Sequence, residues 1–314
     1  MNSKDLISFR VGDAEAGRRL DRLVAHHAEI SRRNARIWIR LGRVRVGGKI
    51  VRVMGREISK GRRVDIILHE QEEAPTAEGS PVLRVEHIDR QVLVLNKPTG
   101  LLSEPDRTGS PSVEKIAPAL LRDLKEHDKT WLVHRLDAQT SGLIMLARTA
   151  QAAKALGNAF RHGTVKKDYL AICAGSFERS IELNAPIGKE KGRRHAVLDS
   201  GKPSSTYFKL VAKQPDFSLV HAKPRTGRTH QIRVHLAHLD HPIAGDGLYG
   251  GPRYTVGGEP RVIPRVMLHA WRLRFAHPKT NQELVLQVEP PADFARLAED
   301  AGFLESLQAL GRKG

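Results

Sequence analysis

Residues 131–142 read Trp-Leu-Val-His-Arg-Leu-Asp-Ala-Gln-Thr-Ser-Gly and run straight into the apolar segment Leu143-Ile144-Met145-Leu146-Ala147. His134, Arg135, Asp137, Thr140 and Ser141 therefore crowd a turn between two apolar segments. Carboxylates, imidazoles and hydroxyls are the groups of acid–base and nucleophilic chemistry. Polar groups so near a core must be hydrogen-bonded or functional. Asp and Thr also cap turns, and on composition alone Asp137 and Thr140 need do no more than that. A second polar concentration lies at residues 223–233, Lys-Pro-Arg-Thr-Gly-Arg-Thr-His-Gln-Ile-Arg. It is basic and leads into a helix. Helix N-termini and arginines suit phosphate, and one arginine there can instead hold a carboxylate ionised. His230, His235, His238 and His241 cluster, but the chain has one cysteine and no H-E-x-x-H spacing, so no metal is expected. That cysteine, Cys173, alternates with Tyr169 and Ala171 on a presumed strand and reads as a small core residue. The phosphate loop, the dinucleotide glycine fingerprint and the G-x-S-x-G elbow are all absent.

The elements that must position these groups mix strands and helices. Val82-Leu83-Arg84-Val85 and Val92-Leu93-Val94-Leu95 read as strands, the second buried on both sides. Asn96-Lys97-Pro98-Thr99-Gly100 is turn chemistry. Residues 143–147 form another buried strand. Thr149 caps a helix with the stripe Ala152, Leu156, Ala159 and Phe160, and Gly163 stops it. Residues 168–173 read as a strand. Thr229 begins a helix with Ile232, Leu236 and Leu239 on one face. Residues 293–310 read as helical. Strands and helices interleave without a βαβ rhythm, which predicts an α+β fold built on a mixed sheet.

Charge divides the chain. It has 314 residues and a net charge of +17. Residues 1–70 carry 17 Lys and Arg against eight Asp and Glu, so more than half the excess sits in under a quarter of the length. The acidic, Pro- and Gly-containing residues 71–81 read as a linker. The expected organisation is a small domain at 1–70, a linker at 71–81 and a larger domain at 82–314. In the basic part, Ser31 caps a helix that Gly42 stops. Ile37, Trp38 and Leu41 share one face, and Arg32, Arg36 and Arg40 recur every four residues on another. No acidic residue accompanies that row, so its repulsion should weaken the helix unless phosphates lie along it. A solvated cationic face is the simpler account, but the clustering favours nucleic acid. No apolar run reaches the roughly 18–20 residues of a membrane span, and the N-terminus lacks a signal-peptide core. No membrane is expected, and with a single cysteine a cytoplasmic setting is.

Two resemblances then appear. Gly17-Arg18-Arg19-Leu20-Asp21-Arg22-Leu23, Ser31-Arg32-Arg33 and residues 41–49 resemble the small RNA-binding module named after ribosomal protein S-four. That implies an α/β domain contacting RNA through Arg32, Arg33, Arg36, Arg40, Arg43 and Lys49. His134-Arg135-Leu136-Asp137 with Thr140-Ser141-Gly142 resembles the signature of the RluA-type pseudouridine synthases. Asn96-Lys97-Pro98-Thr99-Gly100, Lys167-Asp168-Tyr169-Leu170-Ala171, residues 227–235, His241-Pro242-Ile243-Ala244-Gly245-Asp246 and Leu268-His269-Ala270 match further motifs of that family in order. The chain departs at Ala138 and Gln139, where a charged pair is common, and residues 101–106 and 249–264 look individual.

The resemblance implies a catalytic domain with a mixed, mainly antiparallel sheet and flanking helices. It implies isomerisation of uridine to pseudouridine in RNA by one carboxylate, Asp137. Arg233 would hold that carboxylate charged, with Arg228 second and better suited to phosphate. Tyr169 would be the platform for the flipped base, and Arg135 would fill the gap left in the RNA stack. His134 would orient the turn. Atoms are only rearranged, so no cofactor is expected. The expected partner is RNA, ribosomal RNA ahead of transfer RNA, and the expected state is a monomer. The alternative is a noncatalytic RNA-binding or ribosome-assembly protein with the same fold.

Overall fold

The structure, a computed structural model, describes residues 6–30, 32–40, 44–51, 53–67, 83–106, 109–190, 192, 194–254 and 261–311. The chain divides into two compact units, residues 1–79 with 120–127, and residues 80–119 with 128–314. The expected linker at 71–81, together with Ser31, Leu41, Gly42 and Arg43, lies outside the described residues.

In the first unit, β1 (Leu6–Arg10), β2 (Val44–Val46), β3 (Lys49–Ile50) and β4 (Arg63–Ile67) form an antiparallel sheet ordered β1-β4-β2-β3. Helices α1 (Leu20–His27) and α2 (Arg32–Arg40) supply Leu20, Leu23, Val24, Ala35 and Ile39 to a core shared with Val44, Val64 and Ile66. Of the expected apolar face of α2, the side chains of Ile37 and Leu41 lie outside the described residues, and Trp38 packs against the cluster. Ala35 and Ile39, four apart, are buried, while Trp38 is only half-buried against the cluster.

The arginine row differs from expectation at Arg32 and Arg36, while the Arg40 side chain lies outside the described residues. Asp21, on α1 and fully buried, accepts from Arg36 at 2.8 Å, Arg32 at 3.3 Å and Arg19 at 3.3 Å. The neutralising charge comes from a neighbouring helix, which a count of spacings along α2 alone does not reach. Burial alone would push the Asp21 carboxyl up; the guanidinium groups outweigh it and hold it below the ordinary value.

The second unit is built on one ten-stranded sheet. Its elements are β5 (Arg84–Ile88), β6 (Val92–Lys97), α3 (Val113–Asp123, of which the residues from Leu120 on group with the first unit), β7 (Trp131–Leu132), β8 (Ser141–Ala147), α4 (Ala150–Arg161), β9 (Lys166–Ala174) and β10 (Ile181–Asn184). The hairpin β11 (Ile187–Lys189) and β12 (His195–Val197) stands apart from the sheet. Then follow β13 (Ser205–Lys213), β14 (Phe217–Pro224), α5 (Gln231–His238), β15 (Leu268–Ala276), β16 (Glu283–Gln287), α6 (Ala292–Asp300) and α7 (Leu304–Gly311). The strand order is β10-β13-β14-β9-β15-β8-β6-β5, with β16 on β15 and β7 on β8. Every pairing is antiparallel except β15 with β8. This is an α+β fold with a mixed, mainly antiparallel sheet.

Strand β8 is buried at all seven positions because both of its faces are covered, which is why it reads as a continuous apolar run. Thr149 caps α4 by accepting from the Ala152 N–H at 3.1 Å, and Gly163 follows its end at φ +67°. Ala152 and Leu156 of α4 pack on Val92, Val94, Leu143, Met145 and Phe275. Helix α5 has no single apolar face: residues 231–236 are all buried, Gln231, Arg233 and His235 among them. The C-terminal helical stretch is two helices, α6 and α7, parted at Gly302, whose φ of +72° ends the first.

Candidate active site

Asp137 sits in the loop between β7 and β8, and that loop is held from both sides. On its N-terminal side, Ser103 Oγ donates to the Leu136 carbonyl at 2.7 Å and accepts from the Leu136 N–H at 2.9 Å. On its C-terminal side, the Ala138 carbonyl accepts from the Gly100 N–H at 2.8 Å and from Lys97 Nζ at 3.1 Å. The Thr140 N–H donates back to the Asp137 carbonyl at 3.0 Å and closes the turn.

Lys97 ends β6 and is fully buried. Its ammonium also donates to the Pro98 and Leu101 carbonyls, both at 2.9 Å, so all three of its protons have acceptors. Burial, with the charge of Arg265 adding to it, lowers the Lys97 ammonium to about 7, while Asp137 acts the other way. His134 is part of the same scaffold. Its Nε2 accepts from the Met145 N–H at 2.9 Å, its ring stacks on Phe160, and burial pushes it down to about 3, so it is neutral.

Arg233, on α5, reaches Asp137. Its Nη1 donates to Asp137 Oδ2 at 3.0 Å. Nε and Nη2 donate to the two oxygens of Asp246, at 2.6 and 2.9 Å, in a bidentate pair. Burial opposes its charge, but the two carboxylates more than offset this and hold it more firmly protonated than a free arginine. The Tyr249 ring lies against the same guanidinium at 5.0 Å. Asp246 thus fixes Arg233, and Arg233 fixes Asp137.

Asp137 lines a cavity of about 520 Å³, within the size range of small-ligand sites. Tyr169 of β9 lines it too, and is nearly fully buried. Burial first, and then the charge of Asp137, raise the Tyr169 hydroxyl, so it keeps its proton. Arg135, Arg161, Lys167, Arg225 and Arg228 surround the same cavity, and Asp137 is the one carboxylate among the described residues lining it. Arg135 is exposed and pairs with Glu104 at 2.9 Å, while Arg228 is exposed and donates to the Pro203 carbonyl at 3.1 Å.

The structure therefore brings Asp137, Tyr169, Arg233, Arg135 and Arg228 to one cavity. Arg32, Arg36 and Lys49 lie in the first unit, with Lys49 exposed on β3. Arg33 and Arg40 belong to α2, but their side chains, like the whole of Arg43, lie outside the described residues. Sequence reasoning quoted Lys97 and Asp246 inside motifs without giving either a role. A lysine directly after a doubly buried strand was a signal of burial and so of dedicated acceptors. Ser103 gave no signal, because its partner is 33 positions away. The clustered histidines diverge: His235 bonds Thr206 and the Ala185 carbonyl, and His241 the Ala174 carbonyl. Cys173 is fully buried, and burial pushes its thiol up to about 12.

Residues 91–238 match the family described as RNA pseudouridylate synthase, and residues 18–64 match the S4 domain. The chain is 32% identical to the ribosomal large subunit pseudouridine synthase D of Vibrio parahaemolyticus, over 95% of each chain. It is 35% identical to the protein of that name from Xanthomonas campestris, over 91% of this chain and 90% of that one. Among solved structures it resembles human RNA pseudouridylate synthase domain containing 4, with a TM-score of 0.57 at 25% identity, over 71% of this chain and 93% of that one. An aspartate on a loop of this sheet held by a buried arginine of α5, in a chain that aligns over nine-tenths of its length with such relatives, places the protein in the RNA pseudouridylate synthase family, as an RNA pseudouridine synthase with an S4 domain ahead of its catalytic domain.

Proposed function

We propose that the substrate is large-subunit ribosomal RNA and that Asp137 is the catalytic carboxylate. The observation that carries this is the cavity in which one carboxylate faces a ring of cations, with Arg233 at 3.0 Å from it. The cations suit the phosphates around a target nucleotide, and the carboxylate suits its sugar. The substrate assignment is supported by the relatives' name, ribosomal large subunit pseudouridine synthase D.

The reaction breaks the bond from C1′ to uracil N1, turns the base and joins C1′ to C5. C5 loses a proton and N1 gains one. Asp137 starts it either by attacking C1′ or by taking the C2′ proton; both routes need a sheltered anion, and the Arg233 guanidinium stabilises that anion. A uridine in folded RNA must first be extruded, at a few kcal/mol. Tyr169 supplies an aromatic face for the extruded base, and Arg135, once released from Glu104, occupies the vacated stack. Arg228 meets phosphate. Arg32, Arg33, Arg36, Arg40, Arg43 and Lys49 of the first unit dock the RNA.

The test is to map pseudouridine by chemical probing in ribosomal and transfer RNA from cells lacking the gene, then to add back wild-type or Asp137→Asn protein. The expected result is a defined loss in large-subunit RNA that only the wild type restores. Loss confined to transfer RNA overturns the substrate assignment, and restoration by Asp137→Asn overturns the role of the aspartate.

A further inference from the structure

His230 precedes α5 with φ 56° and ψ 20°, a left-handed conformation. Glycine takes that conformation freely, whereas a residue with a Cβ is strained in it. The histidine side chain does not cap the helix. It reaches two other groups: Nδ1 lies 2.8 Å from the Tyr249 hydroxyl, and Nε2 lies 3.8 Å from Asp137 Oδ2.

Tyr249 and Asp137 together set which nitrogen holds the proton. Its oxygen accepts from the backbone N–H of His195 at 3.1 Å. Its own proton can then go to His230 Nδ1, and because Asp137 Oδ2 on the other side of the ring only accepts, the arrangement that suits both contacts has Nδ1 accepting. Burial, with Arg233 and His195 acting in the same sense against the pull of Asp137, keeps the imidazole below its ordinary value and so neutral. A neutral ring that accepts on Nδ1 carries its proton on Nε2, the nitrogen nearest Asp137.

We propose that His230 is a positioning residue for Asp137: Tyr249 holds it as the Nε2–H tautomer, and with Arg233 it occupies Oδ2, so that Oδ1 is the oxygen presented to the sugar. Among the described residues no hydrogen bond reaches Oδ1, whereas both Arg233 and His230 lie at Oδ2. At 3.8 Å the contact is longer than a hydrogen bond, and this role requires it to tighten in the substrate complex. Strained backbone at an active-site residue fits a position kept for its side chain. The inference rests on the reading of Asp137 as the reacting carboxylate.

The experiment measures single-turnover pseudouridine formation, RNA affinity and Tm for the full chain on large-subunit ribosomal RNA transcript. The variants are His230→Gly, His230→Gln, His230→Asn, Tyr249→Phe and Asp137→Asn. His230→Gly relieves the strained backbone, so its Tm is expected to hold or rise while its rate falls about 10- to 100-fold at unchanged affinity. His230→Gln, whose amide N–H extends toward the Nε2 position, is expected to recover more of the rate than His230→Asn. Tyr249→Phe keeps the ring on Arg233 but frees the tautomer, and is expected to lose rate without losing affinity. A wild-type rate in His230→Gly overturns the proposal, as does an equal loss in Gly, Gln and Asn accompanied by a fall in Tm. Asp137→Asn separates the two readings. Activity retained in that variant removes the reading of Asp137 itself, whereas activity lost there but kept in His230→Gly removes only the role of His230.

Discussion

At the scale of single residues the site is a chain of held charges. Asp246 grips Arg233 through two oxygens, and Arg233 presents its remaining terminal nitrogen to Asp137. Lysine cannot copy this, because an ammonium is a point charge without the planar fork that spans two carboxylates. Arg233→Lys is therefore expected to lower the single-turnover rate by about 10²-fold or more. Urea unfolding of the same variant is expected to show a stability loss of about 2–4 kcal/mol, since two buried or half-buried carboxylates lose bonds. A normal rate in a folded Arg233→Lys protein would refute the need for a fork at this position.

At the scale of elements, the loop that carries Asp137 depends on one parallel pairing. Strand β8 meets β15 at His269↔Ser141 and Ala270↔Gly142, directly after the loop that carries Asp137. Gly142 has φ +109°, and a Cβ there would fall on the Ala270 carbonyl. Only glycine permits this approach. Gly142→Ala is expected to cost about 2 kcal/mol or more in denaturant unfolding and to lower activity with it, because the loop shifts with the strand. In the first unit, Arg32 and Arg36 of α2 are ordered by Asp21 rather than left to repel one another. Arg32 makes the longer of the two α2 bonds and is exposed, so it can be replaced with little structural cost. Arg32→Gln is expected to weaken RNA binding and to reduce the slope of log K against log salt by about 0.7–0.9. An unchanged slope in a salt titration would remove Arg32 from the RNA contact.

At the scale of the whole molecule, buried neutral histidines are expected to contribute to the acid limit. His269 is fully buried; burial, with Arg265 adding to it and the Val288 carbonyl opposing, pushes its ring down to about 3. Nε2 donates to the Val288 carbonyl at 3.1 Å, so Nδ1 accepts from Ser141 Oγ at 2.9 Å. Between pH 6.5 and about 3 the unfolded chain binds a proton there and the folded chain does not. Stability from this group is full above pH 6.5 and is lost as pH falls through that window, by about 3 kcal/mol at pH 4.5. Melting curves of the wild type are expected to fall steeply from pH 6.5 to 4.5. In His269→Gln, which keeps a donor and an acceptor but cannot ionise, the fall is expected to be shallower. Equal slopes would show that other groups set the limit.

Much of the molecule was legible in the residues themselves because it depends on local order. Continuous apolar runs gave β6 and β8, a threonine and a glycine bounded α4, and the clustered charge marked the first unit. The motifs named Asp137, Tyr169 and Arg233, three residues that local chemistry alone could have left as a turn cap, a core tyrosine and a phosphate arginine. Tertiary structure decided what those residues meet. Asp21 neutralises Arg32 and Arg36 from another helix, Ser103 and Lys97 clasp the loop that carries Asp137, and Asp246 orients Arg233. The partners of Asp137 lie up to 96 positions away in sequence. A hydrogen bond acts over about 3 Å of space and carries no trace of chain separation. Spacing along the chain therefore reveals which groups a segment offers, and only the folded sheet determines which of them are brought within bonding distance.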